Sequence, residues 1–154
     1  MPHVKLWWDK DIIWTKELIE AKYETYIQGY KLIEDKRCPI HAFIIYYKHR
    51  PIGYLQYYNA YEFPRSAPLK HLPKQLAALD IYIGEPAYLN KGLTSQVINH
   101  LISIYLKTNY THLFVDPEIE NKLAIKAYAK AGFELYKVRE ELNEVWMLRA
   151  IATS

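Results

Sequence analysis

The residues around Gly92 have the types and order of an anion-binding loop. The segment Leu89-Asn90-Lys91-Gly92-Leu93-Thr94-Ser95 follows a predicted strand and opens a predicted helix. Unpaired backbone N–H groups and the dipole at a helix N-terminus favour a negative group, and Gly92 permits a close approach that a side chain would block. Lys91 adds a cation, and Thr94 and Ser95 add hydroxyl donors. Alone, this pattern is more typical of a turn and helix cap.

A second segment, Asn121–Phe133, makes the first more informative. It predicts a short amphipathic helix with Asn121 as its N-cap and Gly132 in the left-handed position after its last turn. Tyr128 lies near the same helical face as Asn121. Asp116 precedes this helix, between a short apolar strand and Pro117. The two segments, separated by one strand, together predict a site for an acylated phosphopantetheine carrier.

Length and composition indicate one globular domain over residues 1–154. Hydrophobic residues make up 51% and charged residues 24%, which excludes a disordered chain. No apolar run approaches the ~18 residues of a membrane span, and the N-terminus has no apolar signal region. The net charge of +3 is spread along the chain, so we expect neither nucleic acid nor membrane as a partner. With one cysteine, Cys38, a cytoplasmic location is expected. The six histidines and Cys38 lack ligand spacing, so we expect no metal.

Hydrophobic periodicity predicts a mixed α/β fold with the element order α, β, β, β, α, β, α, β, β. Residues from about Trp14 to Leu32 predict the first helix, and the connection Asn59–Gln75 is long and contains three prolines. We expect a mixed sheet with helices on both faces. The other predicted elements are a hairpin of Ala42–Tyr47 and Ile52–Tyr58, a strand at Leu79–Gly84, a helix from Leu93 to about Thr108, a strand at His112–Val115, and a final hairpin of Phe133–Glu140 and Glu144–Arg149.

The sequence resembles the GNAT superfamily of acetyl-coenzyme A-dependent N-acetyltransferases. Asn121, Ala124, Tyr128 and Gly132-Phe133 fall on the family spacing Asn-x-x-Ala-x-x-x-Tyr…Gly-Phe. The family's pyrophosphate loop falls on Leu89–Thr94, where only the central glycine is kept. The resemblance covers most of Trp7 to Leu148 and is closest to the aminoglycoside 6′-N-acetyltransferases and their siderophore-acylating relatives. Supporting segments are Pro51–Gln56, Leu79–Gly84 and Val115-Asp116-Pro117.

The resemblance implies a mostly antiparallel sheet that begins with a strand and helix ahead of the segment resembling Val4–Trp8. This chain begins close to that segment, which leaves three alternatives: the first strand and helix are missing, the natural start lies upstream, or a smaller sheet is tolerated. A missing strand would leave a bare sheet edge, which favours pairing with a second copy in a homodimer.

The resemblance also implies that an amine attacks the acetyl thioester. An alkylammonium with a pKa of ~10.4 requires about 4.6 kcal/mol to lose its proton at pH 7, so the site must offer a proton acceptor. Asp80 and Asp116 are the candidates, since their adjacent strands would flank the thioester. The family pattern assigns Tyr128 as the acid that protonates the leaving thiolate.

The implied cofactor contacts fall on three segments. The loop Leu89–Ser95 would bind the pyrophosphate, with Leu89, Asn90, Lys91, Gly92, Leu93, Thr94 and Ser95 as its members. Asn121 and Ala124 would contact the pantetheine arm. Backbone N–H groups near Tyr82 and Ile83 would polarise the acetyl carbonyl.

The acceptor is less well defined by the sequence. Trp8 and Tyr57 are candidates to contact it together with Asp80 and Asp116. Aminoglycosides are the first acceptor class, followed by siderophore precursors and protein amines, although Lys70, His71 and Lys74 make the long connection basic. A non-catalytic module that binds coenzyme A remains the alternative function.

Overall fold

The protein forms one seven-stranded sheet and a separate two-stranded hairpin. The computed structural model describes residues 4–8, 30–33, 36–63, 68–84 and 92–151. The strands are β1 (Val4–Trp8), β2 (Tyr30–Ile33), β3 (Lys36–Pro39), β4 (His41–Tyr47), β5 (Arg50–Asn59), β6 (Leu76–Ile83), β7 (His112–Val115), β8 (Glu134–Arg139) and β9 (Glu144–Ala150). The helices are α1 (Leu93–Leu101), continued by a π-helical turn over Ile102–Leu106, and α2 (Lys122–Lys130), with short 3₁₀ turns at Ala60–Glu62 and Glu140–Leu142.

The large sheet is antiparallel everywhere except at its centre. Its strand order is β1-β4-β5-β6-β7-β9-β8, and β2 pairs with β3 in the separate hairpin. Only the central pair, β6 and β7, is parallel. This confirms the predicted mixed and mostly antiparallel sheet. No helix in the described ranges is both long and apolar enough to cross a bilayer.

Most predicted elements from Ala42 onwards are present, and the N-terminal third differs. The greater part of the helix predicted from Trp14 lies outside the described residues, and its predicted end, Tyr30–Leu32, is wrong because this segment is strand β2. Strands β1 and β3 were not predicted. Strand β1 pairs with β4 along its full length, from Val4 opposite Tyr47 to Trp8 opposite Phe43. Strand β1 therefore covers the edge of β4 and is itself an edge strand of the described sheet.

The two faces of the sheet carry separate apolar clusters. Side chains alternate between faces along a strand, so Ala77, Leu79 and Ile83 of β6 face one cluster whereas Leu76 and Ala78 face the other. Both described α-helices belong to the first cluster, through Val97, Ile98 and Leu101 of α1 and Tyr128 near the end of α2. The second cluster contains Phe114, Trp146, Ala60 and Leu72. The central strands β6 and β7 are thus covered on both faces.

The bounds of α2 follow from residues at both of its ends. The Asn121 side chain accepts a hydrogen bond from Ala124 N at 3.2 Å, and the helix interior is rich in alanine and lysine, which favour helix. Gly132 has φ +95°, a left-handed conformation that glycine adopts without steric cost. That turn lets Phe133 N donate to Tyr128 O at 3.0 Å. Asn121 and Gly132 therefore fix the length of the helix that carries Tyr128.

Gly53 allows β5 and β6 to approach closely. A Cβ atom at Gly53 would collide with the carbonyl oxygen of Tyr82 and lie 3.1 Å from Ile83 Cα. The pairing of β4 with β5 also shifts register between Ile45 and Tyr46. Directly after the last pair of β5 and β6, Gly53 opposite Ile83, Gly84 N donates to Ile52 O at 2.8 Å. These contacts hold the end of β6 against β5.

Candidate functional site

Strand β6 separates from β7 in the middle of the sheet. The two strands pair only from Leu76 opposite His112 to Ala78 opposite Phe114, although β6 continues to Ile83. On its other side β6 remains paired with β5 as far as Ile83 opposite Gly53. The segment Leu79–Ile83 therefore borders an opening between β6 and β7, which we call the wedge.

Backbone direction determines which N–H groups border the wedge. Gln75 O accepts hydrogen bonds from Thr111 N at 2.9 Å and from His112 N at 3.3 Å, so the backbone of Gln75 points towards β7. Because successive residues of a strand point their backbone groups to opposite sides, Ile81 and Ile83 also point to the β7 side. Tyr82 points its carbonyl to β5, where it contacts Gly53. Of the two residues predicted to polarise a carbonyl, only Ile83 has its N–H on the wedge side.

Tyr128 belongs to the apolar cluster on the face covered by the helices. Its side chain is 6% exposed, and its ring packs edge-on against Phe133 with centroids 5.4 Å apart. Burial raises the pKa of Tyr128 well above its usual range, and the negative charges of Asp80 and Asp116 raise it further. The tyrosine therefore stays protonated at neutral pH, and both carboxylates are near enough to act on it.

Asp80 and Asp116 belong to the opposite face of the sheet. Asp80 alternates with Ala78 along β6, and Asp116 follows β7 two residues after Phe114; Ala78 and Phe114 both belong to the second cluster. Both carboxylates are half-buried. Asp80 Oδ2 accepts a hydrogen bond from Gln56 Nε2 at 2.9 Å. The two carboxylates thus lie on one face of the sheet and Tyr128 belongs to the cluster on the other.

The N-terminus of α1 has unsatisfied hydrogen-bond donors. The first helical hydrogen bond runs from Gln96 N to Gly92 O at 3.3 Å, and Gly92, at φ +73°, offers no side-chain cap. The N–H groups of Leu93, Thr94 and Ser95 thus precede the helical ladder. Thr94 is 2% exposed, and its hydroxyl has no hydrogen-bond partner among the described residues. These donors suit an anionic group, which is the property predicted for this loop.

The remaining predicted cofactor residues have mixed outcomes. Leu89, Asn90 and Lys91 lie outside the described residues. The Leu93 side chain is fully buried in the core, so only its backbone can contact a ligand. Asn121 caps α2 through Ala124 N, and Ala124 is half-buried against the first cluster.

Tyr57, predicted to contact an acceptor, lies in the core on the face opposite Asp80. Tyr57 is 6% exposed, belongs to the first cluster and stacks on His41 with ring centroids 4.6 Å apart. Its position on β5 directs it to the face covered by the helices, opposite that of Asp80. The backbone of Trp8 lies on β1, and its side chain is outside the described part. No group of three or more His, Cys, Asp and Glu side chains in the described ranges could hold a metal ion.

Two polar residues of the carboxylate face were not predicted. Tyr54 and Gln56 lie on β5 directly opposite Tyr82 and Asp80 of β6, and Tyr82 is 67% exposed. The alternation of Tyr54, Gln56 and Tyr58 along the strand could have placed them on one face. The register that sets Gln56 opposite Asp80 is that of the β5–β6 pairing, which has no local sequence signal.

Comparisons with known structures support the same fold. AAC(6')-Ib in complex with paromomycin and acetyl-CoA is 19% identical, with a TM-score of 0.70 over 97% of this chain and 93% of that one. The same enzyme with coenzyme A is 20% identical, with a TM-score of 0.69 over 97% and 95%. The aminoglycoside N(6')acetyltransferase of Legionella pneumophila is 19% identical, with a TM-score of 0.59 over 97% and 92%.

A family model places the chain more specifically than these structural likenesses do. The model of the GNAT acetyltransferase domain matches residues 1–140, a range that contains the wedge, the N-terminus of α1, and Asn121, Tyr128 and Gly132. The chain therefore belongs to the GNAT acetyltransferase family.

Proposed function

We propose that the protein is an acetyl-CoA-dependent N-acetyltransferase that acetylates a primary amine of a small molecule. The observation that carries the proposal is the separation of β6 from β7, with Asp80 on β6 and Asp116 directly after β7. The negative charges of both carboxylates also act on Tyr128. Acetyl-CoA supplies the acetyl group as a thioester, whose carbonyl is activated towards an amine.

Two features support the cofactor part of the proposal. The N–H groups of Thr94 and Ser95 and the orphaned Thr94 hydroxyl suit the pyrophosphate at the start of α1. The open edge of β6 supplies the N–H groups of Ile81 and Ile83 to the pantetheine arm and the acetyl carbonyl. Among the described residues, no atom lies within 4 Å of a Cβ added at Gly92. These residues therefore leave room for a ligand at the start of α1.

The acceptor lies on the carboxylate face in this proposal. Asp80 and Asp116 attract an ammonium group and take its proton, and the exposed Tyr82 ring offers a surface to a sugar or other flat group. As the amine nitrogen bonds to the acetyl carbon and the carbon–sulfur bond breaks, the amine loses one proton and the thiolate gains one. Aminoglycosides are the first acceptors to test, because several solved structures with this fold are aminoglycoside acetyltransferases.

Tyr128 acts on the leaving sulfur from the helix face. A thiol has an ordinary pKa of about 8.5, below the raised pKa of Tyr128. Complete proton transfer from the phenol to the thiolate is therefore unfavourable in the ground state. Tyr128 instead stabilises the developing thiolate by donating a hydrogen bond in a buried, weakly screened setting, and the proton released by the amine completes the thiol.

The proposal is tested by thiol release from acetyl-CoA in the presence of an amine panel. The panel contains an aminoglycoside, a hydroxylysine-type siderophore precursor and a peptide with a free N-terminus, and mass spectrometry identifies the acetylated product. Acceleration by an amine with a matching mass gain of one acetyl group is expected. Binding of acetyl-CoA without acceleration by any amine would instead favour the non-catalytic coenzyme A-binding module. Failure to bind acetyl-CoA would contradict both functions.

A further inference from the structure

Gln56 and Asp80 form a cross-strand pair beside the wedge. The two residues are directly opposite each other on β5 and β6, and Gln56 Nε2 lies 2.9 Å from Asp80 Oδ2. On the same strand, the Tyr54 hydroxyl lies 2.9 Å from Gln56 Oε1. All three side chains are half-buried. They form a continuous chain of hydrogen bonds that ends at the candidate proton acceptor.

The direction of this chain is fixed by the chemistry of its members. A carboxylate can only accept hydrogen bonds, so the NH₂ group of Gln56 must face Asp80. The amide oxygen must then face Tyr54, whose hydroxyl donates to it. A reversed amide would set its oxygen against the carboxylate, and the Tyr54 hydroxyl stabilises the observed orientation by donating to the amide oxygen.

We propose that Gln56 is a positioning residue for Asp80 and that Tyr54 keeps its amide in the productive orientation. This inference rests on the proposed function and adds a residue to it. By binding Oδ2, Gln56 limits rotation of the carboxylate and leaves Oδ1 to accept the proton of the attacking amine. The amine nitrogen loses that proton before it attacks, and it loses a second proton to the leaving thiolate as it bonds to the acetyl carbon and the carbon–sulfur bond breaks. Gln56 itself exchanges no proton.

Three variants test this role: Gln56→Leu, Gln56→Glu and Tyr54→Phe. Gln56→Leu removes the donor at similar length and is expected to lower kcat about tenfold or more, because a hydrogen bond to a charged group is lost. Gln56→Glu sets a second carboxylate against Asp80, which raises the pKa of the pair and is expected to move the acidic limb of the kcat–pH profile to higher pH. Tyr54→Phe is expected to lower kcat by a smaller factor. Gln75→Leu, which changes an exposed side chain just before β6, is the matched control and should leave kcat unchanged.

The readouts separate a positioning role from a structural one. Each variant is checked for its thermal unfolding midpoint and for its acetyl-CoA affinity by calorimetry, and both should match the wild type. Unchanged kcat and pH profile in Gln56→Leu and Gln56→Glu would overturn the inference, as would losses of kcat that only follow losses of stability or of acetyl-CoA affinity. If Gln56→Leu fails to fold, Gln56→Glu and Tyr54→Phe decide the matter. The assay of the wild type tests the proposed function separately: if the wild type acetylates no amine, the proposed function itself is contradicted.

Discussion

Tyr128 and Phe133 face each other edge-on across the end of α2, with ring centroids 5.4 Å apart. The turn at Gly132 brings Phe133 back against the last turn of the helix, and Phe133 N donates to Tyr128 O at 3.0 Å. Tyr128, Gly132 and Phe133 therefore pack as one unit, which holds the ring of Tyr128 in place.

Replacing Tyr128 by Phe removes the hydroxyl and keeps this packing. We expect kcat to fall about 10²-fold, within the range for loss of one hydrogen bond to a developing negative charge, with little change in acetyl-CoA affinity. Thiol-release kinetics and calorimetric titration with acetyl-CoA provide the two measurements. Tyr136→Phe, at a 42% exposed position on β8, is the control and should retain full activity. Unchanged turnover in Tyr128→Phe would remove this hydroxyl from the mechanism.

Replacing Gly132 by Ala tests the turn itself. At φ +95° an L-residue is strained, and its Cβ would lie 3.4 Å from Arg149 Nε. Arg149 also donates to Ala131 O and Asn99 Oδ1, each at 2.8 Å, so it has little freedom to move. We expect the free energy of unfolding to fall by about 1–2 kcal/mol in urea denaturation. Gly84→Ala is the control: its Cβ would lie 3.5 Å from Ile52 O and Gly84 has no left-handed φ, so the free energy of unfolding should change much less.

The local motifs of the chain predict its helix ends better than its sheet edges. Asn121 and Gly132 define α2 through chemistry within a few residues, so sequence reasoning located that helix, and the same holds for Gly92 and α1. Strand β1 was missed because its place in the sheet depends on pairing with β4, far along the chain. The burial of Tyr57 was not predicted for a related reason: the sequence of an alternating strand does not reveal which face the helices cover. The hydrogen bond between Asp80 and Gln56 was not predicted, because only the β5–β6 register joins the two residues.

Burial of tyrosines predicts a loss of stability at alkaline pH. The pKa of Tyr57 is raised to about 12, mainly by burial and also by Tyr110 and Tyr105, and that of Tyr128 is also raised. Because these folded-state values exceed the unfolded value of about 10, the stability they contribute is complete below pH 10 and is lost as the pH rises through the folded values. Urea denaturation at pH 8 and pH 11 should show a smaller decrease in Tyr57→Phe than in the wild type. Equal decreases would show that Tyr57 is not linked to stability in this range.

Thr94 provides a test that separates folding from ligand binding. Its buried hydroxyl has no partner among the described residues, so Thr94→Val removes an unsatisfied polar group at nearly constant shape. We expect the ligand-free protein to gain up to about 1 kcal/mol of stability, whereas acetyl-CoA binds more weakly because a donor to its pyrophosphate is lost. Thr111→Val is the matched control: its hydroxyl contacts Gln75 O at 3.4 Å and His112 Nδ1 at 2.9 Å, so stability should not rise and affinity should be unchanged. Thermal unfolding and calorimetry measure the two effects separately. If Thr94→Val binds acetyl-CoA as tightly as the wild type, the Thr94 hydroxyl does not contribute to the phosphate site.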